Sequence, residues 1–444
     1  MLELPERVRD IANALHKADG KCFLVGGYVR DLELGVQNKD IDIEIHGLTP
    51  NQVERVLSQY GEIDLVGNSF GVYLVKGLDV DWSLPRKENS TGRGHKEFEV
   101  SVEPNMGIVN ALQRRDFTMN AMAISMTDWN HIDPFMGKND LQYRILRHVE
   151  ASTFVEDPLR VLRGMQFASR FKLIAPVITA ELCQKMVEEY YSLPRERIWE
   201  ELKKMLLKGV APSCGLRFLQ DSGWIAHWPE LARLFVTPQD GIHHPEGNVG
   251  VHTSQVIDEA ARLRDDVAEE DQLVYMLACL LHDVGKPDTT YVTDKGRITS
   301  HRHDKAGGPI ARRFLERVTN ESDLIERTIP LIENHMFPHY CMPAGHTAYR
   351  RLQKKVDAYL LGKVCEADGL KPELEEQYYR MLKETGTVAP TGSNDTVVKG
   401  RHLIERGLTP GPEFGKIIEE CEEVFLETGE RNPSVLLDRV LGDE

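Results

Sequence analysis

Short apolar runs alternate with glycine turns and charged helical stretches through roughly the first third of the chain. CFLVGG, DIDIEI, GVYLVKG, VDWSL and AMAISM each predict a strand. In DIDIEI the alternation is strict, with acids on one face and isoleucines on the other. From residue 157 to about 241 the period changes to that of helices, as in PLRVLRGMQFASRF and RERIWEELKKMLL. Helical patterns continue from residue 243, and histidines become frequent there. TGTVAPTGSNDT, residues 385–396, reads as a loop before a last helical piece. The opening MLELPERVRDIANALHKADG reads as an amphipathic helix without the apolar core of a signal peptide, and no run of eighteen apolar residues predicts a membrane span. The chain therefore reads as α+β, with its strands gathered at the N-terminal end.

Charge changes this picture in one respect. The net charge of −16 over 444 residues argues against a nucleic-acid binder if it were spread evenly. It is not: residues 144–208 hold twelve Lys/Arg against nine Asp/Glu, while residues 396–444 hold six against eleven. The acidic excess thus lies away from the central helical region. Seven cysteines without a C-x-x-C pair point to reduced thiols in a cytoplasmic protein and to no cysteine-based zinc site.

In FLVGGYVRDLELGVQNKDIDIEIHG an apolar strand runs into Gly26 and Gly27, and Asp40 and Asp42 follow on one face of the next strand. Neighbouring carboxylates repel unless a cation lies between them, and Mg2+ bridges carboxylates to phosphates readily. Paired glycines let the main chain approach phosphate oxygens, and Arg30 adds a positive charge. Asp81, in VDWSL, is a candidate third acid, although Asp79 is in phase with it.

LVGGYVRDLELG…KDIDIEI resembles the signature of the class II tRNA nucleotidyltransferase (CCA-adding) and bacterial poly(A) polymerase family. Five further stretches fit in order: VDWSLPRKENSTGRGHKEFEV with its flexible loop, RRDFTMNAMAI, DPFMGKNDLQYRILRHV, EDPLRVLRGMQFASRF and RERIWEELKKML. The resemblance covers about half of the chain. It implies a polymerase-β-like head using Mg2+, with Asp40, Asp42 and Asp81 as catalytic acids. It further implies nucleotide binding by Gly26, Gly27, Arg30, Arg115 and Asn120, with Arg163 reaching phosphate. In EDPLR, Asp157 and Arg160 are implied to read the base and Glu156 to orient the arginine. A carboxylate that accepts beside a guanidinium that donates suits cytosine and adenine. Two departures from the family pattern are Glu33 and Asn110.

The second half carries His252 in GVHTSQV, His282 and Asp283 in LLHDVGKP, His303 in SHRHDK, His335 in IENHMFP and Asp368 in EADG. This order resembles the HD superfamily of metal-dependent phosphohydrolases. The resemblance implies these six as ligands of a divalent transition metal or Mg2+, with His303 preferred over His301 by its place before Asp304. The expected organisation is a nucleotidyltransferase head at 1–143, a helical neck and body at 144–240 with the base-selecting motif and RNA binding, an HD metal-dependent phosphohydrolase domain at 241–384 and a helical tail at 397–444. The expected activity is addition of CMP and AMP, from CTP and ATP, to a tRNA 3′ end, with an accessory HD phosphohydrolase. A poly(A) polymerase, an A-only or CC-only enzyme, and an HD phosphohydrolase with an inactive head stand as alternatives. The expected partners are tRNA and the two nucleotides, with no membrane, in a monomer or homodimer.

Overall fold

The computed structural model describes residues 4–36, 38, 40–66, 71–90, 98–242, 244–340, 345–386 and 396–442. It divides into two compact units, Met1–His227 and Trp228–Glu444. That division falls ahead of residue 240, so the segment read from sequence as the end of the body packs with the second unit.

The first unit opens with helix α1 (Glu6–Lys17), whose Val8, Ile11, Ala12 and Leu15 are buried at helical spacing. Strand β1 (Lys21–Val25) turns through Gly26 into helix α2 (Gly27–Glu33). The sheet continues with β2 (Ile41–His46), β3 (Ile63–Val66), β4 (Val72–Val75), β5 (Val80–Ser83), and, after β6 (Arg86–Ser90) and β7 (Phe98–Val102), with β8 (Ala123–Ser125) and β9 (His131–Ile132). Its order is β3-β4-β5-β2-β1-β8-β9, and β6 and β7 form a separate antiparallel ribbon. That ribbon occupies both flanks of the stretch expected to be a flexible loop, whose central residues 91–97 lie outside the described set. Backbone pairing of the flanks supplies hydrogen bonds that a loop would leave to water. β2 and β5 pair in parallel, and the register sets Asp42 against Asp81. Ile41, Ile43 and Ile45 are buried beneath them, as the alternation requires.

Helix α3 (Leu159–Phe171), with Pro158 at its N-cap, packs between α4 (Arg195–Lys208) and α5 (Pro212–Asp221). Gly164 permits the close approach to α5, because a Cβ there would lie 2.7 Å from Phe218. One carboxylate ties this helical layer to the head. Asp116 is 7% exposed, and its Oδ2 accepts from Arg163 Nε of α3 at 2.7 Å. Its Oδ1 accepts from the Phe117 amide at 2.7 Å and from Asn120 Nδ2 at 3.0 Å. Asn120 Oδ1 in turn accepts from Arg30 Nη1 at 2.8 Å, and Arg30 Nε donates to Asp31 Oδ1 at 2.8 Å.

In the second unit, helices α6 (Val249–Leu263), α7 (Gln272–Leu281), α8 (His303–Val318), α9 (Ser322–Asn334) and α10 (Ala358–Ala367) pack on one another. A hairpin of β10 (Thr290–Val292) and β11 (Ile298–Ser300) leads into α8. α7 is apolar on all sides, and eight of its ten residues are buried, which makes it the central helix of this unit. No helix among the described residues is long and apolar enough to cross a membrane.

Burial alone would raise the Asp116 carboxyl, but the Arg163 charge and the hydrogen bonds from Asn120 and Arg163 outweigh it and hold it at about 2. A carboxyl lowered by folding stabilises the protein above its unfolded value near 3.8, and that contribution vanishes as pH falls toward 2. It amounts to about 2 kcal/mol. Urea unfolding of Asp116→Asn should therefore show lower stability than wild type at pH 7 and a gap that closes between pH 4 and 2. A pH-independent gap would show that the ionised carboxylate contributes nothing.

Candidate active sites

Sequence alternation and the β2–β5 register build the first site. Asp42, on β2, and Asp81, on β5, face a cavity of about 980 Å3 within the first unit. Asp40 stands one residue ahead of β2, exposed and outside the cavity lining, yet close enough that its charge, with that of Asp81, raises the Asp42 carboxyl. Burial is the largest cause of that rise, and Arg115 and Arg30 oppose it; the balance puts Asp42 at about 6. A carboxylate so reluctant to ionise is one that a cation would stabilise. Asp79 lies outside the strand and outside the lining, so Asp81 is the acid that the fold sets beside Asp42.

Gly26 adopts φ +68°, and a Cβ there would sit 2.7 Å from Arg115 Nη1 and 3.4 Å from Asp42 Oδ2. The turn therefore lets main chain, arginine and acid converge. Gly27, Arg30, Arg115, Asn120, Asp157, Arg160 and Arg163 line the same cavity. Arg30 is 5% exposed and lies over the Phe171 ring at 4.5 Å.

The EDPLR segment is arranged differently from the sequence expectation in one respect. Arg160 is oriented by two main-chain carbonyls, donating from Nη1 to Thr153 and from Nη2 to Arg114, each at 2.8 Å. Glu156 instead receives Arg114 Nη2 at 3.1 Å. Glu156 lies in the turn ahead of the helix that begins at Leu159, so it pairs with Arg114 rather than with Arg160. Asp157 Oδ1 accepts from the Leu159 amide at 3.0 Å, so the same carboxylate caps the helix start and lines the cavity.

Glu44 is a cavity residue that the sequence reading passed over. It accepts from His46 Nε2 at 2.7 Å and Arg115 Nη2 at 3.4 Å, and these partners lower its carboxyl against the opposing effect of burial. The period-two signal that marked Asp40 and Asp42 continues to Glu44 and was sufficient to find it. Arg170, Arg197, Lys204 and Lys208 also line the cavity and were not singled out.

The second site lies where α7 ends. His282 is the C-cap of that helix, and the chain turns at once, so His282 and Asp283 share one centre. Gly285 allows this turn: a Cβ there would lie 2.0 Å from the His303 carbonyl oxygen. His303 Nε2 is 3.3 Å from Asp283 Oδ1, His282 Nε2 is 3.2 Å from Asp283 Oδ2, and His252 Nε2 is 2.8 Å from Asp368 Oδ1. His335 Nε2 is 4.0 Å from Asp283 Oδ1. All six residues predicted from sequence meet here, whereas His301 is exposed and stands beside Tyr291.

The donor chemistry fits a divalent cation. Nδ1 of His282, His303 and His335 each faces a main-chain carbonyl, of Cys279, Ser300 and Ile332, at 2.7 to 2.8 Å. A carbonyl only accepts, so each Nδ1 carries hydrogen and Nε2 is the atom that each ring turns inward. His303 and His335 oppose their Nε2 atoms at 3.1 Å, and burial lowers both rings, His335 to about 3, while the Asp283 and Asp368 carboxylates outweigh burial at His282 and raise it to about 10. Two facing lone pairs held neutral need a cation between them. His282 Nε2 and Asp283 Oδ1 are buried without hydrogen-bond partners. Beyond the predicted set, His339 Nε2 lies 3.4 Å from Asp368 Oδ2, Lys286 Nζ lies 2.7 Å from Asp283 Oδ2, and Glu246 Oε1 lies 3.0 Å from Nδ1 of both His252 and His244. His339 follows His335 by one helical turn, and Lys286 follows Asp283 by three residues; helical spacing was the available signal.

Comparison with known proteins finds a family match for each of the two regions. Residues 22–147 match the model of the Poly A polymerase head domain, and residues 249–372 match that of the HD domain. A multifunctional CCA protein of Alkalilimnicola ehrlichii is 35% identical over 410 residues, covering 87% of this chain and 94% of the relative. The multifunctional CCA protein of Methylococcus capsulatus is 35% identical over 425 residues, covering 90% and 93%. The fold is that of the Bacillus stearothermophilus CCA-adding enzyme solved with CTP, with TM-score 0.67, 20% identity and 98% of each chain covered. A Thermotoga maritima CCA-adding enzyme solved with tRNA matches with TM-score 0.62 at 20% identity, covering 99% and 96%.

Two outcomes are expected of these geometries. Gly26→Ala should lose about 1–3 kcal/mol in denaturant unfolding, the cost of a side chain at φ +68° and ψ −130°. Unchanged stability would mean that the turn is not held at positive φ. For the second site, adding Mn2+ at a hundred times its dissociation constant to chelator-treated protein should stabilise it by about 2.7 kcal/mol. Asp283→Asn should abolish that increment, and a wild-type protein indifferent to Mn2+ would overturn the cation reading.

Proposed function

The chain belongs to the family of multifunctional CCA proteins, and from that premise we propose that its first unit adds CMP and AMP, taken from CTP and ATP, to the 3′ end of tRNA to build CCA. The observation that carries this reading is one cavity holding Asp42, Asp81, the Gly26 turn and the Asp157–Arg160 segment together. In the reaction the terminal RNA hydroxyl oxygen bonds to the α-phosphorus of the nucleotide. The bond from that phosphorus to the bridging oxygen breaks, and pyrophosphate leaves. Asp40, Asp42 and Asp81 would hold Mg2+, which when bound neutralises charge on the triphosphate and the leaving pyrophosphate. Gly26 and Gly27 bring main chain to the phosphates, and Arg30, Arg115 and Arg163 supply fixed positive charge, while Asn120 is the candidate ribose contact.

Base choice follows from hydrogen-bond polarity. Cytosine and adenine each present an exocyclic amine where uracil and guanine present a carbonyl. The Asp157 carboxylate accepts from an amine and repels a carbonyl, and Arg160 donates to the neighbouring acceptor on the base edge. The carbonyls of Thr153 and Arg114 preset the Arg160 guanidinium for this task. In the second unit His252, His282, Asp283, His303, His335 and Asp368 would hold a divalent cation, which when bound supplies Lewis acidity toward a phosphate oxygen. Hydrolysis of cyclic 2′,3′-phosphates or terminal phosphates on RNA ends is the proposed accessory activity.

The test extends tRNA transcripts ending before CCA, after C and after CC, with CTP, ATP or both, and resolves products to one nucleotide. Additions should stop at CCA, Asp42→Ala should slow them roughly a thousandfold, and Asp157→Ala should lose discrimination against UTP and GTP. A long A tail would make the protein a poly(A) polymerase; addition confined to CC or to the last A would make it one partner of a split system. No extension at all would remove the polymerase reading.

A further inference from the structure

The first cavity carries more positive charge than one nucleotide accounts for. Its volume, about 980 Å3, lies at the upper end of the roughly 300–1,000 Å3 typical of small-molecule pockets. Every residue that α4 contributes to its lining is a cation: Arg197, Lys204 and Lys208. Their spacing, with Glu201 between, is four, three and four residues, so they fall on one helical face. The opposite face of α4 buries Ile198, Trp199, Leu202, Met205 and Leu206, which fixes the helix in place. From Arg197 to Lys208 the stripe spans about 16 Å.

These cations stand apart from the acid centre. The charges acting most on Asp42 are Arg115, Asp81, Asp40 and Arg30, none of which belongs to α4. Glu201 is 3% exposed, and its Oε1 accepts from Lys204 Nζ at 2.8 Å while its Oε2 is buried without a hydrogen-bond partner. It is the counter-charge that permits cations of α3 and α4 to gather, because it also acts on Arg163 and Arg170. Lys208 is exposed and makes no ion pair among the described residues. A stripe of this kind, on a protein of net charge −16, is a track for a polyanion rather than a general property of the surface.

We propose that the α4 stripe holds the last phosphodiesters of the RNA acceptor, leaving the head arginines and the α3 arginines to the incoming nucleotide. The stripe is long enough for a few nucleotides of single strand, and it leads into the same cavity as the acids that would activate the RNA hydroxyl. Lys204 and Lys208 are then positioning residues for the acceptor. The proposal rests on the nucleotidyltransferase reading of this cavity.

The experiment compares wild type with Lys208→Gln, Lys204→Gln and the double variant. Affinity for a transcript ending in CC is read by fluorescence anisotropy without nucleotide, over a range of salt, and KM for transcript and for ATP are measured separately. Each substitution should weaken transcript binding about 3- to 10-fold and lower the slope of log affinity against log salt by about 0.7. KM for the transcript should rise with it, and KM for ATP should stay. A rise confined to KM for ATP would assign the lysines to the triphosphate and overturn the proposal. So would unchanged transcript affinity and salt slope. Lys204→Gln strips Glu201 of its partner, so thermal melting accompanies it, and exposed Lys208 decides the question if that variant is unfolded. Because anisotropy needs no turnover, a wild-type protein that binds the transcript but adds nothing would fail the catalytic reading and still test the stripe.

Discussion

The pairing of Asp116 with Arg163 is the contact on which the geometry of the first cavity depends. Asp116 belongs to the head and Arg163 to a helix of the neighbouring layer, so the ion pair fixes one against the other. The second oxygen of the same carboxylate orients Asn120, and Asn120 orients Arg30. Two arginines that reach the cavity from different elements thus take their directions from one buried group. A buried charge with both its oxygens engaged favours one arrangement, and this is how the molecule keeps flexible guanidinium groups in register with Asp42.

The second unit solves a similar problem with the main chain. Three histidines face carbonyls at or near the ends of helical segments, and those carbonyls select the tautomer before any ligand arrives. The Cys279 and Ile332 carbonyls lie in the last turns of α7 and α9, where helix geometry leaves carbonyls available, and the Ser300 carbonyl ends β11. His252 is the exception, for its Nδ1 faces the carboxylate of Glu246. In both units the chemistry-bearing side chains are oriented before substrate binds, which is the condition for electrostatic stabilisation without reorganisation.

Much of this was legible in the residues. Strict alternation in DIDIEI gave the strand and its acidic face, and the resemblance of the His, His-Asp, His, His, Asp order to the HD superfamily pointed to all six members of the second cluster. What escaped depends on long-range contacts. Asp79 and Asp81 share a phase, and only the parallel pairing of β2 with β5 decides between them. The partner of Glu156 turned out to be Arg114 because Glu156 lies ahead of the helix start, where helical spacing does not apply. The ribbon of β6 and β7 stood where a flexible loop was expected, since pairing across a gap leaves no mark on either segment alone. His339 and Lys286 were within reach of helical spacing, but isolated members of a cluster have no signal until their neighbours are placed.

The parallel register of β2 and β5 also has a consequence for how the head assembles. Asp42 and Asp81 meet only when two strands far apart in sequence have docked, with β3 and β4 already carried to the outer side of the sheet. Contacts of such sequence separation form slowly, because chain entropy must be lost before they return any stability. A partly folded head therefore has no acid pair and no affinity for a divalent ion. A divalent ion held by that pair would distinguish the finished sheet from its precursors, and its concentration in the surroundings would then bias the chain toward completed folding.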